Sequence, residues 1–371
     1  SDGLRGLGRR SRARYADGLA RGGGRVSREE GRTALTCWCG LIQFETRRSF
    51  GGDPGEEIRY IRRHWLAQVS CDAGLLAATL PGRAFGRAAI DAASARPADA
   101  VVVDTLLYGA LDEMVRAGLP VVQLVHMFSG FAMKNAKGPF GLFVRMNGVN
   151  PVRALAAPAL TLVASRPEFD RPALPNARHT GFFWQGTPVE AAPRPTPRIL
   201  VSFSTTAFPG QPEALQRTVD GLGALDAEVV VTTGASIAPE AIRPAANTTI
   251  HRFVDHGELL PTTSLVIGHG GHSTAARALS YGIPLLVLPM HPLMDQPLVG
   301  RAIAEQGVGL TIPKRSSASA IRDAAARLLG DEAIRARARA LGASIREYDG
   351  AAVATDALEA FAATSGRHAT A

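Results

Sequence analysis

Cysteine is scarce in this chain, with three in 371 residues. An odd, small number cannot all pair internally, so a disulfide-stapled secreted scaffold is excluded. The chain starts at Ser1-Asp2 and shows no apolar core of the signal-peptide kind, so a reducing cytoplasm is the expected compartment. Long apolar runs are also missing. Uncharged stretches such as 117–133 and 278–294 are interrupted by Pro, Gly, Gln or His, which leaves no clean segment of about 20 apolar residues to span a membrane. Aromatic residues amount to only 6%, and no repeat of roughly 20–50 residues is visible, which argues against solenoids and propellers. No Asp-x-Asp motif is present to hold a cation on a diphosphate.

Acidic charge is short as well, but unevenly so. Residues 1–50 carry eleven Arg against five acidic residues, and so hold six of the eight net positive charges. The remainder is nearly neutral. A basic arm can attract phosphate polymers, yet no recognition-helix pattern, zinc-finger spacing or aromatic-interleaved basic stripe accompanies it, so no nucleic-acid partner is expected. The Arg and Gly bias of this segment is what a GC-rich gene yields when read out of frame, and it marks residues 1–50 as atypical and non-native in character. Cys37-Trp38-Cys39 lacks a second ligand pair, so small apolar packing is a better reading of it than metal binding.

What is present is a soluble α/β pattern of about two ordinary domains. Ile58, Ile61, Trp65 and Val69 recur at helical spacing, as do Phe85, Ala89 and Ala92. Ala100 to Asp104 reads as a strand, Leu107 to Val115 as a helix stopped by Gly118, and Pro120 to Val125 as the next strand, together a parallel strand-helix-strand unit. Pro-rich residues 187–197 read as a linker. Beyond it come candidate strands at 199–203, 228–231, 249–253, 265–267, 285–288 and 309–312, then three closing helices, as in a doubly wound sheet. The expected division is an atypical segment 1–50, a domain 51–186, the linker 187–197, a second domain 198–350 and a C-terminal helix and tail 351–371.

The stretch 265–312 carries the chemistry. A strand runs into Gly268-His269-Gly270-Gly271-His272-Ser273-Thr274 and then a helix, so backbone NH groups, a positive dipole end and two hydroxyls converge on one place. That combination favours phosphate oxygens, and His269 at the strand's end could stabilise charge on a departing diphosphate. A second loop on the same edge brings Asp295-Gln296. Asp295 reads either as the N-cap of the following helix or, with Gln296, as a partner for a sugar's paired hydroxyls.

His269-Gly270-Gly271-His272-Ser273-Thr274, Gly282-Ile283-Pro284, Pro289, Asp295-Gln296 and Gly307-Val308-Gly309 together resemble the donor signature of family 1 nucleotide-sugar glycosyltransferases, in their bacterial secondary-metabolite branch. The resemblance implies a GT-B fold of two Rossmann-like domains facing each other, no cofactor, and inverting, metal-independent transfer of a sugar from a dTDP or UDP donor to an apolar natural product. It places His269, Gly270, Gly271, Ser273 and Thr274 at the diphosphate, Asp295 and Gln296 at the sugar, Ser204 and Thr205 near the phosphates, and Phe253-Val254 at the base. Phe253 reads equally as a core residue, and Asp104 either as the residue that orients a catalytic His or as a helix N-cap. Met127, Phe128 and Phe131, in the loop 127–150, are expected to line the acceptor pocket.

The chain also departs from that family. The family's general base is a His in a Gly-His turn near the N-terminus, whereas the first His here is His64, on a helical pattern. Val299 and Arg277 stand where the family carries Asn and an acid. These departures leave a second expectation beside catalysis, a non-catalytic nucleotide-sugar-fold protein that binds or activates a partner enzyme.

Overall fold

The computed structural model describes residues 80–365, apart from 96, 97, 184–186, 193 and 205. The basic segment 1–50 with Cys37 to Cys39, the helical pattern that carries His64, and Thr205 lie outside the described residues.

The chain divides into two compact units, one running to Gln185 and resuming at Asp349, the other spanning Gly186–Tyr348. In the first, α1 (Ala84–Ala95) precedes β1 (Val101–Asp104), α2 (Tyr108–Arg116) and β2 (Val121–Val125). Gly118 takes φ +75° after α2, a left-handed turn that a glycine adopts without strain. Three short helices follow, α3 (Ser129–Lys137), α4 (Pro139–Met146) and α5 (Pro151–Ala156), and then β3 (Leu160–Val163) and β4 (Ala177–His179). The expectation of a loop over 127–150 is corrected here. Pro139 and Pro151 are not breakers but first-turn residues, where the missing NH costs nothing, and the Asn150 side chain caps α5 at the Arg153 amide, 3.2 Å away.

The four strands pair in the order β1-β2-β3-β4, all parallel, with Asp104 opposite Leu124. Parallel strands are covered on both faces, which explains their nearly continuous apolar runs. The last helix, α12 (Gly350–Ser365), supplies part of that cover: its Ala354 and Ala357 pack on Val122 and Leu162.

The second unit contains β5 (Arg198–Ser202), α6 (Gln211–Leu222), β6 (Glu228–Thr232), β7 (Thr248–His251), α7 (His256–Leu259), β8 (Leu265–Gly268), α8 (His272–Ser280), β9 (Leu285–Val287), α9 (Gln296–Glu305), β10 (Gly309–Thr311), α10 (Ala318–Gly330) and α11 (Glu332–Arg346). The linker residues described between 187 and 197 form neither helix nor strand, and the amides of Ala191 and Ala192 bond to Tyr281 and Pro261 of this unit. All six strands are parallel, in the order β10-β9-β8-β5-β6-β7. The chain thus moves outward from β5 to β7, then returns beside β5 with β8 and moves the other way. Ile199, Val201, Val229, Val231, Leu265 and Ile267 fill the core against Leu215 and Val219 of α6 and Ile321 and Leu328 of α10. Full burial of each such side chain contributes about 1.5–3 kcal/mol.

The strand order reverses between β5 and β8. In open α/β sheets such a switch point is where a crevice forms beyond the carboxyl ends of the strands.

Candidate functional site

Two loops leave the sheet at that crevice, one after Ser202 and one after Gly268, residues that sit side by side in the β5–β8 register. Gly270 takes φ +85°, and a Cβ on it would stand 2.9 Å from both the Gln296 carbonyl and Val287. A Cβ on Gly271 would meet Nε2 of His269 at 2.7 Å. The two glycines therefore let the imidazole lie directly against the start of α8. No side chain caps that helix, whose first turn is His272, Ser273 and Thr274. A helix start of this kind, with its positive dipole end, favours an anion. Ser273 is exposed and Thr274 half-buried.

His269 is half-buried, and its buried Nδ1 makes no hydrogen bond of good geometry among the described residues. Burial pulls its pKa down to about 4, outweighing the opposite pull of Asp295 and of the nearby Ser202 backbone. The ring is therefore neutral at ordinary pH, so it can donate one hydrogen bond and accept another.

Asp295 occupies the N-cap position of α9, but its side chain caps nothing there. Its Oδ2 lies 2.8 Å from Nε2 of His272, which binds the second loop to the first. Gln296 is buried, and its Oε1 accepts from the amides of Met290 at 2.7 Å and His291 at 3.1 Å. Its amide oxygen shapes the loop, so what Gln296 offers a ligand is Nε2. Ser204 is held in a similar way: its carbonyl accepts from Gln211 Nε2 at 2.8 Å and Ser236 Oγ at 3.0 Å, and its Oγ accepts from the Thr206 amide.

Phe253, just past β7, is 82% exposed, so it is not a core residue; Val254 beside it is half-buried. Arg277 reaches Asp255 at 3.3 Å, and Val299 is buried on the inner face of α9. Burial, with Arg277 adding to it against Asp255, lowers the pKa of His256, whose Nε2 lies 3.3 Å from Thr232 Oγ1.

The first unit has its own carboxyl edge. Asp104 ends β1; its Oδ1 accepts from the Leu106 amide at 2.8 Å and its Oδ2 lies 2.8 Å from Nδ1 of His126, which directly follows β2. The helix α2 starts later, behind Leu107, without a side-chain cap, so Asp104 is not its N-cap. Met127, Phe128 and Phe131 are 5–9% exposed and are packed inside the unit. Leu142 and Met146, later in the same stretch, are exposed. Among the described residues, no helix is long and apolar enough to cross a membrane.

Sequence reasoning missed His126, His256 and Gln211 and gave His272, though within the motif, no role of its own. Each stands at a strand's carboxyl end or in the first turn after it, and that placement was the available signal.

Residues 216–350 match the family described as erythromycin biosynthesis protein CIII-like, C-terminal domain. An NDP-glycosyltransferase of Bacillus licheniformis is 30% identical over 172 residues, covering 46% of this chain and 43% of the relative. A tylactone mycaminosyltransferase of Streptomyces fradiae is 38% identical over 132 residues, 34% of this chain and 27% of the relative. These matches span less than half the length of those relatives. Among solved structures, the calicheamicin glycosyltransferase CalG4 aligns with a TM-score of 0.61 at 23% identity, over 79% of this chain and 80% of that one. A spinosyn rhamnosyltransferase complexed with thymidine diphosphate aligns at 0.56 and 22% identity, over 82% and 84%. The fold is GT-B, with two Rossmann-like units. Its C-terminal domain and its fold are thus similar to those of bacterial secondary-metabolite glycosyltransferases.

Proposed function

We propose that the chain is an inverting, metal-independent glycosyltransferase that moves a sugar from a dTDP or UDP donor to an apolar natural product. The observation that carries this reading is the uncapped start of α8 at the switch point, behind a glycine turn that seats a neutral His269.

In this reading the diphosphate lies on the α8 amides and the hydroxyls of Ser273 and Thr274, with Ser204 on the neighbouring loop. His269 donates to an oxygen that gains charge as the nucleotide leaves, and this preorganised donor adds to the helix end in the role a cation has elsewhere. Asp295 and Gln296 Nε2 take the sugar hydroxyls, one accepting and one donating. Phe253 presents a free aromatic face to the base. The acceptor hydroxyl attacks the anomeric carbon from the opposite side as the C1–O bond to the diphosphate breaks. The names of the relatives, mycaminosyl- and desosaminyltransferases among them, support a sugar-transfer role.

Titration calorimetry of the chain with thymidine and uridine diphosphates, without added metal, tests the donor half. Binding of at least one, with a Kd in the micromolar range, is expected, and binding of neither overturns the reading.

A further inference from the structure

Resting on that reading, we propose that Lys314 is a positioning residue of the donor site, which joins the loop on its phosphate side to the loop on its sugar side. In the strand order β10-β9-β8-β5, the loops after β5 and β9 stand on either side of the one that carries His269. Lys314 comes just after β10, at the same edge, and is half-buried. Its Nζ donates to the Pro209 carbonyl at 3.0 Å and to the Met290 carbonyl at 2.7 Å. The first carbonyl lies in the loop after β5, the second in the loop after β9.

Each anchor continues into a residue placed on the donor. The Phe208 amide, next to Pro209, donates to Gln211 Oε1 at 3.1 Å, and Gln211 Nε2 donates to the Ser204 carbonyl at 2.8 Å. The Met290 amide donates to Gln296 Oε1 at 2.7 Å. A continuous series of hydrogen bonds and covalent links therefore runs from Ser204 through Lys314 to Gln296. The rings of Phe208 and His291, 5.8 Å apart, brace the same two loops. Lys314 is itself held from behind, because Arg217 of α6 donates to its carbonyl at 2.7 Å and to that of Ser316 at 3.1 Å.

An ammonium suits this task. It has three donors and no acceptor, so one group can hold carbonyls from two loops at once, and its charge makes each bond stronger than a neutral donor would. Fixing the spacing of the two loops before the ligand arrives lowers the ordering cost of binding. The gain is largest for a ligand that touches both loops, a nucleotide sugar, and smallest for one that touches the phosphate side alone.

The test measures binding of pyrophosphate, thymidine and uridine diphosphates, dTDP-glucose and UDP-glucose to the wild type, K314M and K314R by calorimetry. Loss of the two charge-assisted bonds in K314M should raise the Kd of the better-bound nucleotide sugar by about ten- to a hundredfold. The free diphosphates should lose clearly less. K314R keeps the charge and several donors and should recover most of the loss, while the unfolding midpoint of K314M stays near that of the wild type. In the wild type, the nucleotide sugar should slow amide hydrogen exchange in 206–210 and 290–296 together.

Nucleotide-sugar binding by K314M at the wild-type level overturns the positioning role and leaves the transferase reading intact. So does an equal loss for every ligand, or one that grows with ligand charge, since these indicate general destabilisation or simple attraction. Protection of one loop alone in the wild type overturns the role even if K314M fails to fold. A wild type that binds neither nucleoside diphosphate overturns the transferase reading and this role together.

Discussion

Two helices start at the carboxyl edges of the two sheets with the same set of leading amides, and the protein treats them in opposite ways. At α3 the carboxylate of Asp170, some forty residues along the chain, accepts from the Ser129 amide at 2.6 Å and from Gly130 at 3.3 Å. At α8 the N-cap position is Gly271, with no side chain to do so. The first helix end is closed by the protein's own anion and serves stability. The second has no such carboxylate among the described hydrogen bonds. A dipole end therefore says nothing about function until its occupant is known. What separates the two ends is local: glycines precede α8, and a buried carboxylate faces α3.

The largest expected effect breaks the open end. G270V adds a β-branched side chain at φ +85°, with its Cβ 2.9 Å from a carbonyl and from Val287. Strain and overpacking of roughly 1–3 kcal/mol each should displace the turn. Diphosphate binding should fall at least about a hundredfold by calorimetry, a factor equal to about 2.8 kcal/mol.

The next sharpens the contrast through pH. The folded pKa of His269, about 4, lies below the ordinary value of about 6.5. Between those values the unfolded chain binds more protons, so stability is full above about pH 6.5 and falls as pH drops toward 4. The span is on the order of 3 kcal/mol. H269Q should flatten this part of the stability–pH curve, read by denaturant titration at pH 4.5 and 7. Diphosphate binding by the wild type should owe no pH dependence to this group above pH 5.

D170A opens the closed end. Burial would raise this carboxyl, but the His179 side chain, the Ser129 and Gly130 amides and the Ser129 hydroxyl outweigh it and hold the pKa below the usual range. Its contribution is therefore present above about pH 3.9 and lost as pH falls through the lowered value. The variant should lose about 2 kcal/mol of stability at neutral pH, while diphosphate binding in the other unit is unchanged. A loss of binding would mean that the two ends are not independent.

F253A should give the smallest change. The ring is 82% exposed, so stability should shift by less than about 0.5 kcal/mol. Loss of a stacked base should weaken nucleotide binding about tenfold, within the roughly 1–3 kcal/mol of base–aromatic stacking. Equal binding by wild type and variant would remove Phe253 from the site.

Much of the second unit was legible because its strands are short apolar runs closed by Gly, Pro or Asp, and its helices keep a clean 3.6-residue period. The first unit was harder to read. Its α4 and α5 have few turns and open on Pro, and β4 is Ala-Arg-His, with no alternation to mark it. The donor loop's residues could be named from their types and spacing, but their partners could not. Gln296 carries the right chemistry for a sugar, yet half of its amide holds the Met290–His291 backbone. His126 is separated from Asp104 by a helix and a strand, and His272 from Asp295 by an intervening strand. Only the parallel register closes those gaps, and register is a property of the sheet rather than of any local stretch.

The second unit is one uninterrupted segment, whereas the first resumes at Asp349, and α12 covers part of its sheet. On the ribosome, where chains emerge from the N-terminus at about 5–20 residues per second, the unit begun first is thus the last to be completed. Its apolar Val122 and Leu162 must wait for Ala354 and Ala357 while the whole of the other unit is synthesised. At those rates the wait is on the order of ten seconds or more, a vulnerable interval for aggregation or chaperone capture that the finished molecule does not reveal.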